Sequence, residues 1–169
     1  ILVNNAGATW GAKVDEYPTK AWDRVLDLNL KGLFFLTQSL LPALRAAGTA
    51  EHPARIINIS SVEAIQVPAH ETYAYSASKA AVNQLTRTLA KRLGGDHVTV
   101  NALLPGPFRS RMMKALLEAD EEAITALSPL GRIGRPDDIG AAAIYLASRG
   151  GSWLTGVLLP VDGGISGTA

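Results

Sequence analysis

The sequence contains no cysteine, which excludes disulfide staples and thiol chemistry. It carries almost no excess of either charge: 16 Lys and Arg stand against 15 Asp and Glu, a formal net charge of +1. So balanced a chain has no electrostatic footprint for nucleic acid or for an anionic membrane surface. Long apolar runs are missing as well. Stretches such as Gly32–Leu36 fall far short of the ~20 residues that a membrane-spanning helix needs. The chain opens on Ile1-Leu2-Val3 with no initiator methionine, charged leader or signal-like segment, and reads as though entered in the middle of a β-strand. His52, His70 and His97 are scattered, without metal-ligand spacing.

The 169 residues, 47% of them hydrophobic, suit one globular unit, since roughly 100–200 residues are usual per domain. Apolar strands alternate with helices. Ile1–Val3 is a short strand entering a turn at Asn4-Asn5-Ala6-Gly7. From about Thr19 to Ala46, apolar residues recur at helical spacing, and Gly48 ends the pattern. Arg55–Ile59 is a second strand, whose consecutive Ile56-Ile57 implies burial on both faces of a parallel sheet. Tyr75 to about Leu93 is a helix closed by Gly94-Gly95. Val98–Leu104 is a third strand, ended by Pro105-Gly106-Pro107. Residues 107–133 predict one or two short helices within a mobile insertion. Pro136 before Asp137-Asp138 starts a helix running to about Ala147, and Gly156–Val161 is a last strand. Trp10, Trp22 and Trp153 are expected to pack. The alternation β-α-β-α-β-(insertion)-α-β implies an α/β fold with a parallel sheet. Ligands of such sheets sit beyond the carboxyl ends of the strands.

Tyr75 and Lys79 stand four apart on a helix and so share a face. A nearby ammonium favours a phenolate, so the pair predicts a tyrosine pKa lowered toward the range useful for general acid–base catalysis. Alone, such a pair is usually an ordinary helix start with a solvated lysine. Ser61 ends the second strand upstream, where a hydroxyl can donate to a carbonyl beside the tyrosine; Ser60 reads as a turn or cap. Asn29 falls on the stripe formed by Trp22, Leu26, Leu33 and Leu36, which is expected to face the sheet. A buried amide there needs partners or a water.

Together these segments resemble the classical short-chain dehydrogenase/reductase family. Asn4-Asn5-Ala6-Gly7 is similar to that family's NNAG segment, and Asn29, Ser61, Tyr75 and Lys79 match its catalytic tetrad in order. Pro105-Gly106, with Phe108 and Ser110, looks like its PG segment, with serine in place of the usual threonine. Arg135–Ile139 and Thr155–Gly164 look like its last helix and strand. Tyr73–Met112 is also similar to β-ketoacyl reductases. The resemblance implies the C-terminal part of a doubly wound Rossmann-type sheet, strands four to seven of seven, with residues 1–169 forming a partial catalytic domain. It implies NADP or NAD as cofactor, NADP favoured, and a small carbonyl or alcohol substrate, 3-oxoacyl reduction being one option. A full-length protein would be a cytoplasmic homo-oligomer.

In that scheme Tyr75 is the acid or base, Ser61 holds the substrate oxygen, and Lys79 tunes the tyrosine and binds the nicotinamide ribose. Asn29 holds a water that joins Lys79 to a proton relay. Asn5, Ala6 and Gly7 lie near the adenosine-side ribose, while Pro105, Gly106, Phe108 and Ser110 meet the carboxamide. The glycine-rich phosphate turn that opens the family fold is absent from these residues. The chain by itself is therefore expected to be inactive and prone to associate through an exposed edge at Ile1–Val3. The alternative is a non-catalytic binding or regulatory subunit. Arg109 and Arg111, two apart beyond the PG segment, are expected to be solvated rather than to bind an anionic substrate or carrier.

Overall fold

The alternation read from the sequence is realised in the computed structural model, which describes residues 1–168. The strands are β1 (Leu2–Asn4), β2 (Ala54–Ile59), β3 (Val98–Pro105) and β4 (Leu158–Val161). Helices α1 (Thr19–Leu26) and α2 (Leu33–Ala47) follow β1, and α3 (Tyr73–Leu93) joins β2 to β3. The connection from β3 to β4 carries α4 (Lys114–Ala126) and α5 (Pro136–Ala147). All three strand pairings are parallel, in the order β1-β2-β3-β4. Every carboxyl end therefore lies on one edge of the sheet, which brings Asn4–Gly7, Ser60-Ser61 and Pro105-Gly106 together although they are far apart in sequence.

Both faces of the sheet are covered, as the paired isoleucines predict. Ile56 turns to one face, where it packs with Leu44 of α2, Ala90 and Leu93 of α3, and Val98 and Val100 of β3. Ile57 turns to the other and meets Leu103 and Leu146 of α5. Side chains of adjacent strand residues point to opposite faces, so β2 serves both layers at once. β1 is an edge strand, and Val3 is 46% exposed.

The segment from residue 19 to 47 is helical throughout, but not uniformly. Asp27–Gly32 forms a π-helical turn between α1 and α2. The buried stripe is Ala21, Val25, Asn29, Leu33 and Thr37, a strict four-residue repeat. On a regular helix each such step overshoots by about 40°, and the wider π turn absorbs part of that drift. This corrects the stripe expected from a uniform helix: Asn29 and Leu33 are buried, whereas Trp22 and Leu36 are 41% and 49% exposed. Trp10 is similarly exposed, and Trp153 is 97% exposed, so it does not pack.

Other boundaries move slightly. α3 begins at Tyr73, which places Tyr75 inside its first turn. Its end is not closed by a left-handed glycine: Gly94–Asp96 continue as a 3-10 turn, and His97 takes the left-handed conformation with φ 56°. The 107–133 segment holds α4, broken into two helical pieces by extended backbone at Asp120. α5 spans Pro136–Ala147, with the Asp138 carboxylate accepting from the Arg135 backbone N–H at 2.7 Å.

Candidate active site

The site is assembled at the carboxyl edge of the sheet. β2 delivers Ser61, α3 delivers Tyr75 and Lys79, and the π turn delivers Asn29. Lys79 is buried, its Nζ donating to the Ile59 carbonyl at 2.7 Å and standing 5.5 Å from the centre of the Tyr75 ring. Ser60 ties the same helix down by donating from its hydroxyl to the Lys79 carbonyl at 3.1 Å. Ser61 Oγ accepts from the Glu63 backbone N–H at 3.2 Å, which leaves its proton to donate.

Asn29 is a fully engaged buried amide. Its Oδ1 accepts from the Ala8 N–H at 2.8 Å, and its Nδ2 donates to the Ala8 carbonyl and to Ser78 Oγ, each at 2.9 Å. Ser78 in turn donates to the Tyr75 carbonyl at 2.7 Å. One side chain thus pins the loop after β1 to the helix that carries the tyrosine. Both amide hydrogens are spent on protein, so the water expected at Asn29 is not held by its N–H groups.

The electrostatics differ from the expectation for Tyr75. Burial raises the phenol pKa; hydrogen bonding with Ser61 lowers it and the Glu63 charge raises it further, for a net upward shift. The Lys79 ammonium, which gives one N–H to the Ile59 carbonyl at 2.7 Å and whose own pKa burial lowers to about 8, does not outweigh this. Burial therefore decides the sign, against the lowering expected from the lysine.

A family model described as enoyl-(acyl carrier protein) reductase matches residues 1–166. The chain belongs to the short-chain dehydrogenase/reductase family. It is 48% identical over 166 residues to a rhamnolipids biosynthesis 3-oxoacyl-[acyl-carrier-protein] reductase of Pseudomonas aeruginosa, covering 97% of this chain and 65% of that protein. It is 43% identical over 169 residues to nodulation protein G of Azospirillum brasilense, covering 98% and 65%. The solved Pseudomonas aeruginosa RhlG/NADP active-site complex superposes with a TM-score of 0.93 at 47% identity, over 98% of this chain and 65% of that one. The chain thus spans just under two thirds of the length of these relatives, and its sheet is a partial Rossmann-type sheet.

At this edge Lys79 keeps N–H donors that no protein group among the described residues takes. Lys79 has three N–H donors, of which the Ile59 carbonyl takes one. Gly7 lies directly over this group: a Cβ there would stand 3.5 Å from Asn29 Oδ1 and 3.7 Å from Lys79 Nζ. Asn5, Ala6 and Gly7 are exposed. The buried donor and the open glycine surface fit hydroxyl-bearing ligand atoms. In the PG segment, a Cβ on Gly106 would fall 2.9 Å from the Asp162 Cα, so only glycine allows β3 to approach the turn after β4. Pro105 and Gly106 reach the site edge, but the Phe108 ring packs on Gly134 and exposed Ser110 Oγ accepts from the Met113 N–H at 3.3 Å. Arg109 is not free, pairing with both oxygens of Glu121. Among the described residues no cluster of metal-binding side chains occurs.

Several contributors escaped the sequence reading: Ala8, Ser78, Glu63 and a buried polar ladder. In that ladder, Asn4 Nδ2 donates to Thr37 Oγ1 at 3.1 Å and to Asn58 Oδ1 at 2.8 Å, and Asn58 donates to Thr86 Oγ1 at 2.9 Å. The available signal was an asparagine, Asn58, set between Ile57 and Ile59 in a buried strand.

Lys79 makes stability depend on pH. Its folded pKa of about 8 lies below the ordinary 10.5, so between these values the unfolded chain binds the extra proton and stability rises with pH. Above about 10 the phenol of Tyr75 opposes the rise, because its pKa is raised on folding. Denaturant titrations between pH 8 and 10 should show this upward slope, and Lys79→Met should flatten it; an unchanged slope in the variant would assign the effect elsewhere.

Proposed function

We propose that this chain is the catalytic portion of an NADP(H)-dependent oxidoreductase that interconverts a carbonyl and a secondary alcohol. The observation that carries the reading is the convergence of the Ser61 hydroxyl, the Tyr75 phenol and the Lys79 ammonium at one sheet edge. When bound, the nicotinamide cofactor supplies or accepts the hydride. Tyr75 gives its proton to the carbonyl oxygen during reduction and takes the hydroxyl proton during oxidation. Ser61, its lone pair occupied by the Glu63 N–H, donates to the same oxygen and stabilises developing charge. Lys79 offers its remaining N–H groups to ribose hydroxyls. Asn29 holds the 5–8 loop and the tyrosine helix in register.

Asn5, Ala6 and Gly7 would flank the adenosine-side ribose, and Pro105, Gly106, Phe108 and Ser110 the carboxamide end. NADP(H) is favoured because solved relatives hold it, including the Pseudomonas complex and a Burkholderia cenocepacia gluconate 5-dehydrogenase determined with NADP and tartrate. Similarity to 3-oxoacyl-[acyl-carrier-protein] reductases of Pseudomonas aeruginosa and Thermotoga maritima supports a 3-oxoacyl thioester as substrate. The full-length enzyme should consume NADPH with a 3-oxoacyl thioester faster than with a polyhydroxy keto acid, followed by absorbance. Preference for the keto acid would overturn the substrate class, and no turnover with any carbonyl would overturn the reading.

A further inference from the structure

Between Ser60 and Tyr73 the chain runs from the end of β2 to the start of α3 through a 3-10 turn at Val62–Ala64 and a loop. That loop separates the two groups that must act on one substrate oxygen: Ser61 before it and Tyr75 after it. Its geometry therefore sets the distance between hydroxyl and phenol. Ser60 and Lys79 anchor the strand to the second turn of α3. The first turn, which carries Tyr75, needs a separate anchor.

Glu63 supplies it. Its Oε2 accepts from Thr72 Oγ1 at 2.8 Å and from Ser76 Oγ at 3.1 Å. These two hydroxyls bracket Tyr75 on the helix. Thr72 is the residue before α3, and its hydroxyl caps no backbone N–H of the helix, so its shortest bond goes to the carboxylate. The backbone N–H of the same Glu63 holds Ser61 Oγ. One residue thus touches both sides of the acid–hydroxyl pair, by its main chain on one and its side chain on the other.

We infer that Glu63 is a positioning residue, whose carboxylate clasps the Tyr75 turn through Thr72 and Ser76 while its N–H orients the Ser61 hydroxyl. The inference rests on the proposed role of Tyr75 and Ser61 as the reacting pair. Charge-assisted acceptance by a carboxylate is stronger than a neutral bond, and two donors on one oxygen fix the turn more tightly than one. Of the charged groups around the phenol, Glu63 acts on it from the turn, the Lys79 ammonium stands 5.5 Å from its ring on the same helix, and Glu71 is engaged by the Tyr73 hydroxyl at 2.9 Å. The carboxylate consequently also opposes ionisation of Tyr75.

The test uses the full-length enzyme with NADPH and a 3-oxoacyl thioester. Glu63→Ala should lower kcat by about ten- to hundredfold, the scale of misplacement of a reacting group, with cofactor affinity unchanged. Glu63→Gln keeps an acceptor oxygen and should recover most of that loss. It should also move the alkaline limb of the reductive kcat profile to lower pH, because the Glu63 charge that adds to the effect of burial on the phenol is gone. The double variant T72V/S76A should match Glu63→Ala, and should add nothing in the Glu63→Ala background. Amide hydrogen exchange in the first turn of α3 should be faster in both. Wild-type kcat in Glu63→Ala, losses that multiply between the two sets, or an unmoved alkaline limb in Glu63→Gln would each overturn the clasp. If the unsubstituted enzyme reduces no carbonyl, the functional reading fails instead, and the exchange rates alone decide whether Glu63 holds the turn.

Discussion

Replacing Tyr75 with phenylalanine in the full-length enzyme should cost about a thousandfold in kcat while leaving cofactor binding nearly intact. The magnitude is the middle of the range for a positioned general acid and corresponds to about 4 kcal/mol of transition-state stabilisation. The separation of the two effects follows from the geometry. Phenylalanine keeps the ring 5.5 Å from the Lys79 ammonium, and the bonds from Ser78 to the residue 75 carbonyl and from Lys79 to Ile59 do not involve the hydroxyl. The Lys79 donors proposed to meet the ribose therefore stay where they are. Only the proton donor is lost.

The upward shift of the Tyr75 pKa gives the prediction a direction. Because burial keeps the phenol protonated, the acid form persists through neutral pH, and carbonyl reduction should be insensitive to pH there. Alcohol oxidation needs the phenolate, so it should climb with pH in the unsubstituted enzyme and lose that dependence in Tyr75→Phe. Steady-state kinetics in both directions, with cofactor affinity measured by fluorescence, check the set. Near-normal turnover in the variant would remove Tyr75 from the acid–base role.

What the sequence disclosed depended on how far each feature reached. The parallel sheet was legible because Ile56-Ile57 and the strand-end turns at Asn4–Gly7 and Pro105–Pro107 are local signals of a two-sided sheet. Asn29, Ser61, Tyr75 and Lys79 were legible as residue types in order. Their mutual bonding was not, because Asn29 and Ala8 meet through a π turn that no local spacing announces. The stripe on α1 and α2 was misread for the same reason: a uniform period was applied to a helix whose middle turn is wider. The tyrosine pKa was misjudged because charge proximity can be read from a four-residue spacing, while burial belongs to the assembled fold. Glu63 gave no sign at all, since its partners Thr72 and Ser76 lie across a loop that is folded back by tertiary contacts.

Asn29→Ala should destabilise the protein by about 3 kcal/mol and reduce turnover as well. The stability loss is read from the bonds. Truncation removes an acceptor from the Ala8 N–H and donors from the Ala8 carbonyl and Ser78 Oγ, and each buried polar group left unpaired costs roughly 1–3 kcal/mol. Water entering the vacated space recovers some of this, which keeps the sum near the lower end. For a chain of 169 residues the cost corresponds to a fall in Tm of about 6–12 °C. The turnover loss has a separate route. Ser78 donates to the Tyr75 carbonyl at 2.7 Å and the Ala8 backbone sits beside Gly7, so removing the amide loosens the cofactor-side loop and the tyrosine turn together. Cofactor affinity and kcat should therefore fall together, unlike in Tyr75→Phe, where only kcat falls. Asn29→Asp tests the bonding pattern itself. A carboxylate can still accept from the Ala8 N–H, but the Ser78 hydroxyl can donate to it only by giving up the Tyr75 carbonyl, and it has no hydrogen to give the Ala8 carbonyl and adds a negative charge against it. Asn29→Asp should accordingly rescue little of the Tm. An Asn29→Ala protein with unchanged Tm and unchanged cofactor affinity would mean that the loop after β1 is held by something other than this amide.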